Sequence, residues 1–142
     1  MSEFHPGELV WPVRVYYEDT DSGGVVYYAN YLRFMERART EWMRQLGFGQ
    51  QHLVREEGIV FAVRSAQIDY LGPARLDDLL TVTTGLKHCG RASMTFAHSI
   101  SREQQASQPC CRGVIKIACL NATTFRPHPI PANLMKELPD VS

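Results

Sequence analysis

The sequence predicts an α+β fold in which one long central helix is wrapped by a curved antiparallel sheet of about five strands. Three patterns carry this expectation. A helical periodicity runs from about Asn30 to Leu46, strand-like runs lie before and after it, and short turn signals separate the later strands. A lone helix must bury its apolar stripe somewhere, and the largest surface on offer is the sheet.

The first strand is read from Leu9 to Glu18, where Val13, Val15 and Tyr17 alternate with Arg14, Tyr16 and Glu18. It stops at Asp19-Thr20-Asp21-Ser22-Gly23-Gly24, an acidic, glycine-rich turn. In the helix, Tyr31, Phe34, Met35, Ala38, Trp42 and Leu46 form one stripe, and Arg33, Glu36, Arg37, Thr40 and Arg44 gather opposite. Asn30 is the expected N-cap and Gly47 the C-terminal stop. Phe48 to Gly58 reads as a loop with a helical turn.

Four further strands are expected at about Val60 to Leu71, Asp78 to His88, Arg91 to Arg102 and Cys111 to Thr124. Met94, Phe96, His98 and Ile100 alternate with Ser93, Thr95, Ala97 and Ser99, and Ile115, Ile117 and Cys119 alternate with Val114, Lys116 and Ala118. Breaks at Gly72-Pro73, Cys89-Gly90 and Gln104 to Pro109 suit turns between antiparallel neighbours. A short helix is expected from Pro131 to Leu138.

With 142 residues the chain reads as one domain, its core at about 9–126 and a Pro-rich tail at 127–142. A chain of this size can bury roughly 70% of its unfolded surface, so no disulfide or metal is needed to hold it. The 15 basic residues balance the 15 acidic ones, which argues against bulk electrostatic binding of nucleic acid. No apolar run reaches the roughly 18 to 20 residues of a membrane span, and Met1-Ser2-Glu3-Phe4-His5-Pro6 lacks the blocks of a signal peptide, so the expected location is the cytoplasm without membrane insertion. One helix leaves a sheet face and edges uncovered, which predicts a homo-oligomer.

Cys89, Cys110, Cys111 and Cys119 are read as small buried hydrophobes. A zinc site from His88, Cys89, Cys110, Cys111 and His128 has no C-x-x-C pair to orient it, so no metal is expected. His98, on an apolar strand face, is read as a hydrogen-bonded core histidine.

The chemistry concentrates in Tyr16 to Tyr31. Carboxylates and then glycines stand immediately before a helix N-terminus, where unpaired N–H groups and partial positive charge converge. That combination suits hydrolysis of an activated acyl compound: a carboxylate acts as nucleophile or base while amides receive the carbonyl charge. An Asp of ordinary pKa, near 4, is ionised at neutral pH and ready for either role.

The run Val13-Arg14-Val15-Tyr16-Tyr17-Glu18-Asp19-Thr20-Asp21-x-Gly23-Gly24-Val25-Val26-Tyr27, with Asn30-Tyr31 and Glu36-Arg37-Ala38-Arg39-Thr40-Glu41, resembles the active-site segment of the hotdog-fold acyl-CoA thioesterases. The resemblance is to the 4-hydroxybenzoyl-CoA thioesterase group, above all its YbgC-like branch, associated with the Tol/Pal cell-envelope system. Tyr70-x-Gly72-Pro73-Ala74-Arg75-Leu76-Asp77-Asp78 is similar to that branch's strand junction.

The resemblance implies a hotdog fold and hydrolysis of an acyl-CoA to free acid and CoA without any cofactor. It implies Asp21 as the catalytic carboxylate and the Tyr28 N–H as the group that polarises the carbonyl. Many members of the branch carry His where this chain has Tyr28, but the implied role belongs to the amide. Gly23, Gly24 and Val25 would lie along the substrate, and Arg91, followed by Ser93, matches a phosphate-contacting Arg, with Lys87 and Arg126 as weaker candidates.

Glu36 is the alternative acid, since some hotdog thioesterases place theirs on this helix, and Glu18 and Asp19 are expected to shape the turn. Sites between subunits would make a dimer or a tetramer of dimers, with acyl carrier protein as an alternative thiol donor. The rival expectation is a non-catalytic module that binds acyl-CoA or acyl carrier protein for envelope machinery.

Overall fold

The structure, a computed structural model, describes residues 7–105 and 107–141. Strand β1 spans Glu8–Arg14 and helix α1 spans Asn30–Gln45. A short helix α2 (Gln50–His52) and a wide π-type turn (Leu53–Glu57) lead into β2 (Ile59–Tyr70). Strands β3 (Leu79–Cys89), β4 (Ser93–Arg102) and β5 (Pro109–Asn121) follow, then helix α3 (Ala132–Met135). The five strands form one antiparallel sheet in the order β1-β3-β4-β5-β2.

Helix α1 lies on this sheet because its apolar stripe has nowhere else to go. Tyr31, Phe34, Met35, Ala38 and Trp42 are buried as the periodicity requires, and Arg39 and Met43 join them, while Leu46 is only half-buried. The sheet's matching face is Met94, Phe96, His98 and Ile100 of β4 with Ile115, Ile117 and Cys119 of β5, all buried. Trp42 meets Phe96 edge-on at 5.0 Å between ring centroids. Gly113 of β5 permits the close approach: a Cβ there would stand 2.7 Å from the Met35 sulfur and 2.9 Å from Ile68 Cδ1. The helix ends where Gly47 takes φ +91° and Phe48 N–H donates to the Met43 carbonyl at 3.0 Å.

Three expectations need correction. The first strand ends at Arg14, not Glu18, and Tyr17 is 82% exposed, because Tyr17–Asp19 coil into a 3-10 turn closed by the Asp19 carboxylate, which accepts Tyr16 N–H at 2.8 Å. Asn30 is not the N-cap; Ala29 holds that place without a side-chain bond, and the Asn30 amide donates to the Asp19 carbonyl at 2.9 Å. The expected loop before β2 is largely helical. The Pro-rich tail also serves the core, since Ile130 and Leu134 are buried.

The two edges of the sheet differ. β1 is 7 residues long and carries Pro12, whereas β2 runs for 12 residues with Val63 and Tyr70 exposed. No helix among the described residues is long and apolar enough to cross a membrane.

Candidate active site

The loop between β1 and α1 is folded by its own polar groups. Asp19 is buried, and its carbonyl accepts both the Tyr27 N–H (3.0 Å) and the Asn30 amide. The chain then reverses through Asp21 to Gly24. Asp21 N–H donates to the Val25 carbonyl at 2.9 Å, Gly24 N–H donates to the Asp21 carbonyl at 3.1 Å, and Gly24 takes φ +80°, where a side chain would be strained. Thr20 and Val26 bridge across the base of this small hairpin.

The strand junction at 72–78 holds the hairpin in place. Val26 N–H donates to the Ala74 carbonyl at 2.8 Å, Val25 bridges Arg75, and Ala74 N–H donates to the buried Tyr31 hydroxyl at 3.2 Å. Val15 exchanges backbone bonds with Asp77 and Asp78. The second sequence motif is thus the seat on which the first rests.

Asp21 is exposed, and its Oδ1 accepts Gly23 N–H at 2.8 Å. That bond holds the carboxylate in one orientation and leaves Oδ2 without a partner among the described residues. A few residues on, the N–H groups of Tyr28 and Ala29 donate to no acceptor among the described residues, as the opening of a helix dictates. The Tyr28 ring is 60% exposed and packs against Tyr27 (4.8 Å) and Tyr70 (5.9 Å); Tyr70 in turn meets Tyr31 at 5.8 Å. The sequence names Tyr70 only as part of the junction motif; its contact with Tyr28 and Tyr31 was hidden, because only the sheet order brings the end of β2 to the start of α1. Glu18 is exposed and Asp19 is structural.

Arg91 and Ser93 are at the other end of the molecule. The Asp21 hairpin is anchored to residues 74 and 75, just before β3, whereas the turn carrying Arg91 follows its last residue, Cys89. The 11 residues of β3 therefore separate them by roughly 35 Å at about 3.3 Å per residue. Arg91 is exposed, its carbonyl accepts Ile130 N–H, and exposed Lys87 and Arg126 lie at the same end of the sheet.

Glu36 lines a cavity of about 370 Å³ between α1 and β2, whose walls include neither Asp21 nor Tyr28. His98 is a core residue, pushed down to about 3 by burial and by the charge of Arg39, and bonded on both ring nitrogens. Cys110, Cys111 and Cys119 are buried, and burial pushes the Cys111 thiol up to about 12 and that of Cys119 to about 11, which makes them poor nucleophiles. Among the described residues no three His, Cys, Asp or Glu side chains stand close enough to hold a metal ion.

Comparison with known proteins puts this geometry in context. The profile of the thioesterase-like superfamily matches residues 15–138. The acyl-CoA thioesterase YbgC of Haemophilus influenzae is 44% identical over 121 residues, covering 85% of this chain and 87% of its own. A probable thioesterase from Bartonella henselae superposes with a TM-score of 0.82 at 33% identity, over 88% of this chain and 100% of that one. A mutant 4-hydroxybenzoyl CoA thioesterase, solved with 4-hydroxybenzoyl CoA, gives a TM-score of 0.83 at 25% identity over 93% of this chain and 99% of that one.

Proposed function

Since this chain belongs to the thioesterase-like superfamily and is a hotdog-fold acyl-CoA thioester hydrolase, we propose that Asp21 is its general base and the Tyr28 N–H its oxyanion donor. The supporting observation is the single loop that carries both groups in an unspent state: an oriented carboxylate with one free oxygen, and a helix-opening amide with no acceptor. Asp21 Oδ2 takes a proton from water as the oxygen adds to the thioester carbon. The developing oxyanion lies against Tyr28 N–H, helped by the positive end of α1. Collapse of the adduct breaks the carbon–sulfur bond, and the departing thiolate recovers the proton from Asp21, giving a carboxylic acid and CoA.

A second copy of the chain completes this reading. Two β2 edges paired antiparallel about a two-fold axis would reverse one sheet relative to the other and bring Arg91 of the partner subunit to the end occupied by Asp21. There the cation meets the CoA phosphates, with Gly23, Gly24 and Val25 along the thioester arm and Ser93 beside the phosphates. The working unit is then at least a dimer, and the reaction belongs in the cytoplasm, where CoA thioesters are made.

Thiol release from a panel of aliphatic and aromatic acyl-CoAs tests the proposal. Asp21→Asn should lose about 100- to 10,000-fold in kcat while keeping its fold and oligomeric state. Full activity in that variant, or ¹⁸O from labelled water entering the Asp21 carboxylate during a single turnover, would refute the base role.

A further inference from the structure

We propose that the exposed Phe125 ring, presented by a turn fastened to Asn121, is the platform on which the adenine base of CoA stacks. Phe125 takes φ +59°, and Asp77 is the only other non-glycine residue with a positive φ among the described residues. Asp tolerates that region through its short polar side chain, whereas a bulky aromatic there is an outlier. The ring is also 64% exposed, so it does not serve the core. Glycine or asparagine would close the same turn without strain, so what the turn gains from Phe125 is an aromatic face held out in solvent.

One residue holds that face in place. Asn121 Oδ1 accepts the N–H groups of Thr123 at 2.8 Å and Thr124 at 3.0 Å. The Asn121 carbonyl accepts Phe125 N–H at 2.8 Å, and its own N–H donates to the Arg126 carbonyl at 2.8 Å. Ala122 N–H ties the turn to the Gly58 carbonyl at 2.9 Å, and Leu120 bridges Pro127. A ring so fixed loses little freedom when a flat ligand lies on it.

The surroundings specify an anionic ligand. Arg126 follows Phe125 directly, is exposed, and has no ion pair among the described residues. Ile130 N–H donates to the Arg91 carbonyl at 2.9 Å, and the five steps of chain from Phe125 to Ile130 span at most about 17 Å. No Asp or Glu occurs from Leu79 to Arg102 or from Gln104 to Lys136, so both limbs of this pole are basic or neutral. Glu57, drawn near by the Gly58 bond, is engaged by His52 and Asn133. An aromatic face flanked by exposed cations suits a purine nucleotide: the ring takes the base and the cations take the phosphates. CoA ends in such a group, an adenosine that carries phosphates.

This inference rests on the reading that Arg91 meets the CoA phosphates, and adds the residue that reads the base. Phe125 and Arg91 belong to the same end of one chain, so two-fold pairing would carry both to the partner's Asp21 together. The ring thereby favours CoA over thiol carriers without a nucleotide, such as pantetheine joined to a carrier protein.

Calorimetric titration of the intact protein with CoA, adenosine 3′,5′-bisphosphate and pantetheine tests the assignment. Phe125→Ala should weaken CoA and the bisphosphate about tenfold, within the worth of one base–aromatic stack, and should not weaken pantetheine. Phe125→Trp should restore both. Phe125→Gly relieves the backbone and removes the ring, so it should resist denaturant at least as well as the native chain yet bind the nucleotides as poorly as Phe125→Ala does. Adenine ring protons should show nuclear Overhauser contacts to the Phe125 ring in the native complex. Undiminished nucleotide affinity in Phe125→Ala and Phe125→Gly overturns the proposal, as do equal losses for pantetheine. Native affinity in Phe125→Gly alone also overturns it, by tracing the effect to the backbone. Arg91→Ala separates the two readings: if it binds CoA as tightly as the native chain while Phe125→Ala does not, the phosphate assignment fails and the ring's role stands, and the reverse pattern sinks the ring alone.

Discussion

Mixing two crippled variants tests whether a complete site is shared between subunits. On the proposed roles, Asp21→Asn removes the base and Arg91→Ala removes a phosphate contact, a loss that should raise KM by about tenfold or more, the worth of one charge-assisted hydrogen bond. Within one chain the two positions are separated by the length of β3, roughly 35 Å at about 3.3 Å per residue. In the proposed two-fold dimer each site would draw Asp21 from one chain and Arg91 from the other, so a hybrid of the two variants would carry one doubly damaged site and one intact site. Hybrids isolated by two affinity tags should therefore recover about half of native kcat with a native KM, and random re-association should give about a quarter. The assay is thiol release at CoA-ester concentrations below the native KM, where both defects register. Hybrid activity no greater than the mean of the two parents would refute the shared site.

Other expectations follow from single contacts. His98 is held neutral in the fold but is free to take a proton near pH 6.5 when unfolded, so its folded pKa is depressed; below pH 6.5 the unfolded state binds more protons and stability falls by about 1.4 kcal/mol per pH unit down toward about pH 3. Chemical denaturation between pH 7 and 4 measures this slope, and it should flatten in His98→Gln. Gly113→Ala should destabilise by about 1 to 3 kcal/mol, because the new methyl collides with Met35 and Ile68, and Met35→Ala in the same chain should recover part of the loss. Tyr31→Phe should cost about 1 to 2 kcal/mol through the orphaned Ala74 N–H, and should lower kcat as well, since that bond ties the junction to α1.

The legible parts of this fold were those with a period. The α1 stripe and the inward rows of β4 and β5 could be read directly, because burial on one face imposes 3.6- and 2-residue repeats. Tyr17 could not: it continues the alternation of β1 on paper, but the Asp19 carboxylate three residues after Tyr16 coils the chain there. Arg39 was equally hidden, since its charge argues for exposure and only the lone pair of a distant histidine explains its burial. At the site, Asp21, the glycines and Tyr28 were readable as a local motif. The placement of Arg91 at the far end was not, because it depends on β1 pairing with β3 rather than on anything near either residue.

The inequality of the sheet's two borders bears on how far association can go. A proline strand cannot donate along its full length, so the β1 side is a poor template for a further strand, while the long β2 side can accept one. Growth by strand addition then stops after a single self-complementary pairing. Fibres would need two sticky borders, and Pro12 withholds one of them.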